Sequence, residues 1–177
     1  MKEINKNIFT GRTLLRKYEE GDRKVFADLF TDKEVNFYMG GQKCETREDA
    51  YSLFDKCFEV YEGKFRGRHF EIWAVLYENN TIGHIELKQT NNTDEDELEV
   101  VYLLGKNFHG IGLMTEILQK INSYAGSHNK KLIATINPDN IKSLKVLEKT
   151  GIEKQGWIND ADGKTYKIWL KQCVNNI

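Results

Sequence analysis

Apolar residues recur along the chain with two different periods. After Asp22 they fall at Val25, Phe26, Leu29 and Phe30, and after Thr46 at Ala50, Leu53, Phe54, Cys57, Phe58 and Tyr61. Both spacings describe one face of a helix. Asp22 is placed to cap the first helix, and Thr46 with Asp49 forms a capping-box pattern ahead of the second. Residues 32–39 read as a shorter helical piece, stopped by Gly40-Gly41. A third stripe runs through Leu113, Ile117, Ile121 and Tyr124. A fourth helix is predicted from its cap Asn140 to Thr150, with Gly151 as its stop. Alternating or continuous apolar runs predict strands over 12–18, 70–77, 82–88, 98–104, 131–136, 153–157 and 166–172. Residues 78–81 make a hairpin turn and Asp162-Gly163 another. Antiparallel strands followed by one strand–helix–strand passage predict a mixed α/β sheet with helices on its faces.

The most informative stretch joins the strand at 98–104 to the third helix. There His109-Gly110-Ile111-Gly112 stands at the mouth of a helix that begins at Leu113. Glycines at this point permit φ values closed to other residues and leave the first helical N–H groups uncovered. The helix dipole adds partial positive charge there, so strand, Gly-x-Gly and helix together form a candidate anion cradle. A tight strand-to-helix turn explains the glycines equally well. No Gly-Lys-Ser/Thr follows, and the full Gly-x-Gly-x-x-Gly dinucleotide pattern is missing.

Composition narrows the classes. The chain has 177 residues, 40% of them hydrophobic, with a formal net charge of −1. That suits a single domain over 1–177 with a real core, and it argues against a general nucleic-acid binder. No apolar run of membrane-spanning length occurs, and the first residues are no signal peptide. Cys44, Cys57 and Cys173 have no metal-ligand spacing and read as reduced thiols of a cytoplasmic protein. The four histidines form no His-x-x-x-His pair, so no metal is expected.

A second stretch changes the picture. Asn140-x-x-Ser143 and Leu147-Glu148-Lys149-x-Gly151 follow the Gly-x-Gly helix and one strand. With that pairing the chain resembles the GNAT superfamily of acetyl-CoA-dependent N-acetyltransferases. It is most similar to the branch that contains the ribosomal-protein N-terminal acetyltransferases. Thr10 to Arg16, Ile82-Gly83-His84-Ile85, Glu99-Val-Val-Tyr102 and Gly110 to Glu116 agree with that branch. The resemblance spans residues 10–170. It implies a GNAT-like central mixed, mostly antiparallel sheet flanked by helices, and transfer of an acetyl group from acetyl-CoA to a primary amine. It also places the CoA pyrophosphate on the backbone of Gly110, Ile111, Gly112, Leu113, Met114 and Thr115, next to His109. The pantetheine arm would pair with the backbone of Tyr102, Leu103 and Leu104, faced by Asn140 and Ser143. His109 stands where relatives often carry Gln, Arg or Trp, and Met114 where Gly or Ala is usual. Leu147 replaces the tyrosine that many relatives use as general acid, and Ser143 is this branch's substitute.

Amine acetylation needs a neutral amine. At pH 7 a lysine-like amine costs roughly 4.6 kcal/mol to deprotonate, and an α-amine of a peptide about 1–1.4 kcal/mol. Glu99 is the candidate base, on the family's precedent, and otherwise a sheet-surface glutamate. Ser143 is the candidate proton donor to the leaving thiolate, and otherwise a pantetheine contact. The acidic run Asp94 to Glu97 reads as a solvated loop, and if it overhangs the cleft it would attract cationic amines. His84 reads as a packed imidazole. The expected partner is an amine-bearing small molecule or a peptide or protein N-terminus, with no nucleic acid or membrane, and similar proteins are commonly homodimers. The competing readings are a catalytically silent acyl-CoA-binding or regulatory module and, more distantly, a nucleotide-binding module.

Overall fold

A computed structural model describes residues 6–39, 43–65, 69–160 and 163–172. Its elements run β1 (Ile8–Phe9), β2 (Thr13–Arg16), α1 (Arg23–Thr31), α2 (Arg47–Tyr61), β3 (Phe70–Tyr77), β4 (Asn80–Lys88) and β5 (Glu97–Leu104). They continue with α3 (Leu113–Ser127), β6 (Lys131–Ile136), α4 (Ile141–Thr150), β7 (Ile152–Asp160) and β8 (Gly163–Leu170). The strands form one eight-stranded sheet in the order β1-β2-β3-β4-β5-β6-β8-β7. Only β5 and β6 run parallel. The mixed, mostly antiparallel sheet is the architecture the element order predicts.

Because side chains alternate across a strand, each face of the sheet gathers its own core. Leu98, Val100 and Leu104 of β5 join Ile117, Leu118 and Ile121 of α3 and Leu147 of α4. On the other face Leu103, Ile72 and Ala74 pack against Phe26 and Phe30 of α1 and Phe54 of α2. The aromatic stripes read from the sequence are core, with the Phe26 and Phe30 rings stacked at 4.2 Å. Burying a side chain of that size contributes about 1.5–3 kcal/mol, so these contacts fix where α1 and α2 sit.

Several local expectations change. Asp22 makes no cap to α1; it ends a short 3₁₀ turn, Glu20–Asp22, and its buried carboxylate accepts from Arg16 Nη1 at 2.7 Å and Thr81 Oγ1 at 2.6 Å. Residues 32–39 are turns and not a helix. The Asp32 carboxylate accepts the amides of Glu34 and Val35, which competes locally with helix formation. The stop assigned to Gly40-Gly41 lies outside the described residues, as do Asp162 and Cys173. The hairpin between β3 and β4 turns at Glu78 and Asn79, with φ of 49° and 63°. Thr46 does cap α2 in a reciprocal box with Asp49, and Asn140 caps α4 by accepting the Ser143 amide at 3.2 Å. No helix among the described residues is long and apolar enough to cross a membrane.

Candidate active site

The site begins where the parallel pair comes apart. β5 and β6 are in register only at Glu97↔Lys131, Leu98↔Leu132 and Glu99↔Ile133. Beyond that point β5 stays with β4 as far as Leu104↔Gly83, and β6 stays with β8 as far as Ile136↔Tyr166. The backbone of Val100 to Leu104 is therefore left with one edge unpaired, a template for an extended ligand. Gly83 permits the tight end of the β4–β5 pair, since a Cβ there would lie 2.5 Å from the Leu103 carbonyl. A cleft of about 1580 Å³ opens through the gap between β5 and β6.

At the end of β5 a 3₁₀ turn, Lys106–Phe108, leads to Gly110 and Gly112, whose φ values are 80° and 85°. Both lie in the left-handed region that glycine tolerates. Gly112 is the N-cap of α3, and no side chain caps that helix. The first amide bond back to Gly112 comes from Glu116, at 3.2 Å, so the amides of Leu113, Met114 and Thr115 precede any intrahelical acceptor. A Cβ added at Gly110 would meet nothing within 4 Å. The loop is braced by the residue just before β2, because Arg12 Nη2 donates to the Ile111 carbonyl and Arg12 Nε to Glu116, both at 2.8 Å. An uncovered helix N-terminus in a pre-formed loop suits a phosphate or pyrophosphate. Met114 belongs to the core and also lines the cleft.

His109 holds the loop from the other side, donating from Nε2 to the Leu104 carbonyl at 2.9 Å. That carbonyl is thereby taken, and the open edge lies on the residues before it. Ser143 stands in the first turn of α4 and lines the cleft. Opposite it is Tyr102, whose phenol is buried and makes no hydrogen bond within normal limits. Burial pushes that phenol up to about 12, with only the Ser143 side chain acting against the rise.

Glu99 belongs to the other face of β5 but opens into the same cleft. It is only 5% exposed. Thr90 Oγ1 donates to its Oε2 at 2.6 Å and Thr135 Oγ1 donates to its Oε1. An ionised carboxylate has about four acceptor sites, so two remain for an incoming ammonium or amine. Neither threonine is distinguished by any sequence pattern. The acidic run lies elsewhere. Asp96 pairs with Lys131 at 2.9 Å, and Glu97 is buried against Lys167 at 2.7 Å and Trp169. None of residues 94–97 lines the cleft.

A roof crosses the cleft from the α1–α2 connection. The Tyr38 hydroxyl donates to the Asp139 carbonyl at 3.1 Å, and Lys142 approaches Glu34 at 3.6 Å. His84 is buried against Tyr18, Phe26 and Phe30, with Nδ1 at 2.9 Å from the Tyr18 hydroxyl and Nε2 at 3.1 Å from Glu86. Burial alone would raise Glu86, but the hydrogen bonds and charges of His84 and Lys88 hold it down to about 2. Among the described residues no group of three His, Cys, Asp or Glu side chains is placed to hold a metal ion.

Comparison with known proteins agrees with this architecture. The sequence pattern of the acetyltransferase (GNAT) domain family matches residues 12–153. The chain is 26% identical over 172 residues to the uncharacterized N-acetyltransferase p20 of Bacillus licheniformis, covering 92% of this chain and 93% of that one. Its fold is that of a GNAT-family acetyltransferase from Bacillus anthracis, with a TM-score of 0.77 at 22% identity over 94% of this chain and 99% of the other. It is also the fold of RimL, a ribosomal L7/L12 alpha-N-protein acetyltransferase solved with coenzyme A. There the TM-score is 0.74 at 13% identity, over 93% and 97% of the two chains.

Proposed function

Since the chain belongs to the GNAT acetyltransferase family, we propose that its cleft transfers the acetyl group of acetyl-CoA to a primary amine received by Glu99. Acetyl-CoA supplies an activated acetyl group on a thioester. The amides of Gly110 to Thr115 would hold its pyrophosphate, and the open edge of β5 at Tyr102 and Leu103 would pair with its pantetheine arm. Asn140 keeps the start of α4, and so Ser143, beside that path.

The observation that carries the reading is the position of Glu99 and Ser143. They sit on different faces of the sheet, yet both line the gap where β5 and β6 part. Glu99 would accept the proton that an ammonium must lose before its nitrogen can attack. The nitrogen–carbon bond forms as the carbon–sulfur bond breaks; the Ser143 hydroxyl would supply the proton to sulfur and be restored by the second proton, which the acylated nitrogen loses, while Glu99 returns the first to solvent. A thiol has a pKa near 8.5, so this second transfer needs only modest help. The silent-module reading has less support, because a pure binding site has no use for a carboxylate buried at the parting of the strands. We take the whole chain to work as one domain in the cytoplasm.

Replacing Ser143 with alanine tests the donor role. Steady-state kinetics should show kcat falling by roughly 10²-fold, the low end of general acid catalysis, while KM for acetyl-CoA changes little. A rise in KM with kcat spared would make Ser143 a cofactor contact. Tyr102, with its orphan phenol beside that serine, would then become the donor to test.

A further inference from the structure

The acceptor end of the cleft carries a fixed cation beside Glu99. Lys88 ends β4, and its register partner across the sheet is Glu99. Residues opposite one another in an antiparallel pair project on the same face, with Cβ atoms about 4.5–5.5 Å apart. The Lys88 ammonium donates to Glu86 Oε2 at 2.6 Å and lies 5.5 Å from the centre of the Phe70 ring. Glu86 is buried and holds His84 through its other oxygen, and His84 meets Tyr18. A continuous buried chain of polar groups thus anchors Lys88, which is itself only 19% exposed at its side chain. An ammonium has three N–H donors, and Glu86 takes one. Unlike a surface lysine, this one has already lost its conformational freedom.

Lysines continue around the same end. Lys43 and Lys164 line the cleft, and neither has an acidic partner among the described residues. The acidic run that would have drawn cations faces away, on Lys131 and Lys167. Of the carboxylates near this cleft, Glu86 is taken by Lys88 and His84 and Glu34 by Lys142, which leaves Glu99 and Asp139 facing several ammonium groups. A polyamine or aminoglycoside would find few favourable charges here and several repulsive ones.

We infer that the acceptor is a small amino carboxylate, its ammonium on Glu99 and its carboxylate on Lys88, with Lys43 and Lys164 at the rim. The cross-strand spacing suits two opposite charges a few bonds apart. The roof from Tyr38 to Asp139 favours a small molecule over a folded protein surface. This inference rests on the proposed role of Glu99 and deepens it.

The test compares α-amino acids of several side-chain classes, each with its own carboxamide and its decarboxylated amine, and adds spermidine. Release of free CoA thiol by the full chain gives kcat/KM for each. The amine of a carboxamide is less basic than that of the free acid and more of it is neutral at pH 7, so intrinsic reactivity at that pH favours the amide. The inference predicts the reverse order in at least one series, the acid ahead of its amide and amine by tenfold or more. Lys88→Gln should shrink that ratio towards one, and Lys88→Arg should keep most of it. A wild-type preference for spermidine or the amides would overturn the inference, as would a ratio that survives Lys88→Gln. If no amine at all is acetylated, the proposed function fails separately. Calorimetric binding to the CoA-loaded protein then decides the inference: an acid that binds more tightly than its amide supports it, and equal or weaker binding overturns it.

Discussion

Glu99→Gln should lower kcat/KM for an acceptor that is protonated at neutral pH by roughly 10²- to 10⁴-fold, the range of general base catalysis. The substitution keeps the shape of the side chain and removes its ability to take a proton. Thr90 and Thr135, which now donate to the two carboxylate oxygens, are hydroxyls and can turn to accept from an amide. The loss should therefore come from chemistry rather than from folding, which circular dichroism and the melting temperature will check. It should also depend on pH. Raising the pH deprotonates the amine in solution, so the deficit should narrow towards the amine's own pKa. KM for acetyl-CoA should stay near the wild-type value, because Glu99 lies on the acceptor face. A variant within about threefold of wild type at neutral pH would remove Glu99 as base, since even modest base catalysis exceeds that margin.

The second large effect is expected at the helix mouth. Gly112→Val should raise KM for acetyl-CoA tenfold or more while kcat falls less. With φ at 85°, a β-branched residue here is strained by about 1–3 kcal/mol, and its Cβ would touch Arg12 Nη2 at 3.4 Å. Relief of that strain would shift the loop whose amides face the cofactor, and the side chain itself would cover the helix mouth. The two kinetic signatures differ because Glu99 acts on the proton and Gly112 on the cradle. Wild-type affinity for acetyl-CoA in a folded Gly112→Val protein would reduce the two glycines to a turn.

How much of this was legible in the sequence depended on whether the cause was local. Thr46 with Asp49, Asn140 ahead of Ser143, and the left-handed glycines at the head of α3 are local, and each behaves as its residue type requires. The apolar periodicities placed α1, α2 and α3, and the cap Asn140 with the stop Gly151 placed α4. Asp22 misled because its carboxylate found Arg16 and Thr81, a tertiary partnership that no capping pattern reveals. Residues 32–39 misled because Asp32 satisfies the next amides itself and halts a helix that the apolar residues alone suggested. At the site, the backbone cradle could be read from two glycines. The setting of Glu99 could not, because Thr90 arrives from the β4–β5 connection and Thr135 from β6. Lys88 drew no attention in the sequence, and only strand register sets it opposite Glu99. The run from Asp94 to Glu97 shows the converse: its charge is conspicuous in the sequence, yet Asp96 and Glu97 pair with Lys131 and Lys167 and none of the four lines the cleft.

This cleft should move an acetyl group from CoA to an amine. One reaction of the full chain with acetyl-CoA and the amine panel, in which free CoA thiol and the mass of the acceptor are followed together, tests that transfer. Thiol release should require the amine and match, mole for mole, the appearance of an N-acetylated product. Both should fall together in Glu99→Gln. Binding of acetyl-CoA with no acetylated amine from any member of the panel would contradict it, and so would thiol release that proceeds equally well without an acceptor.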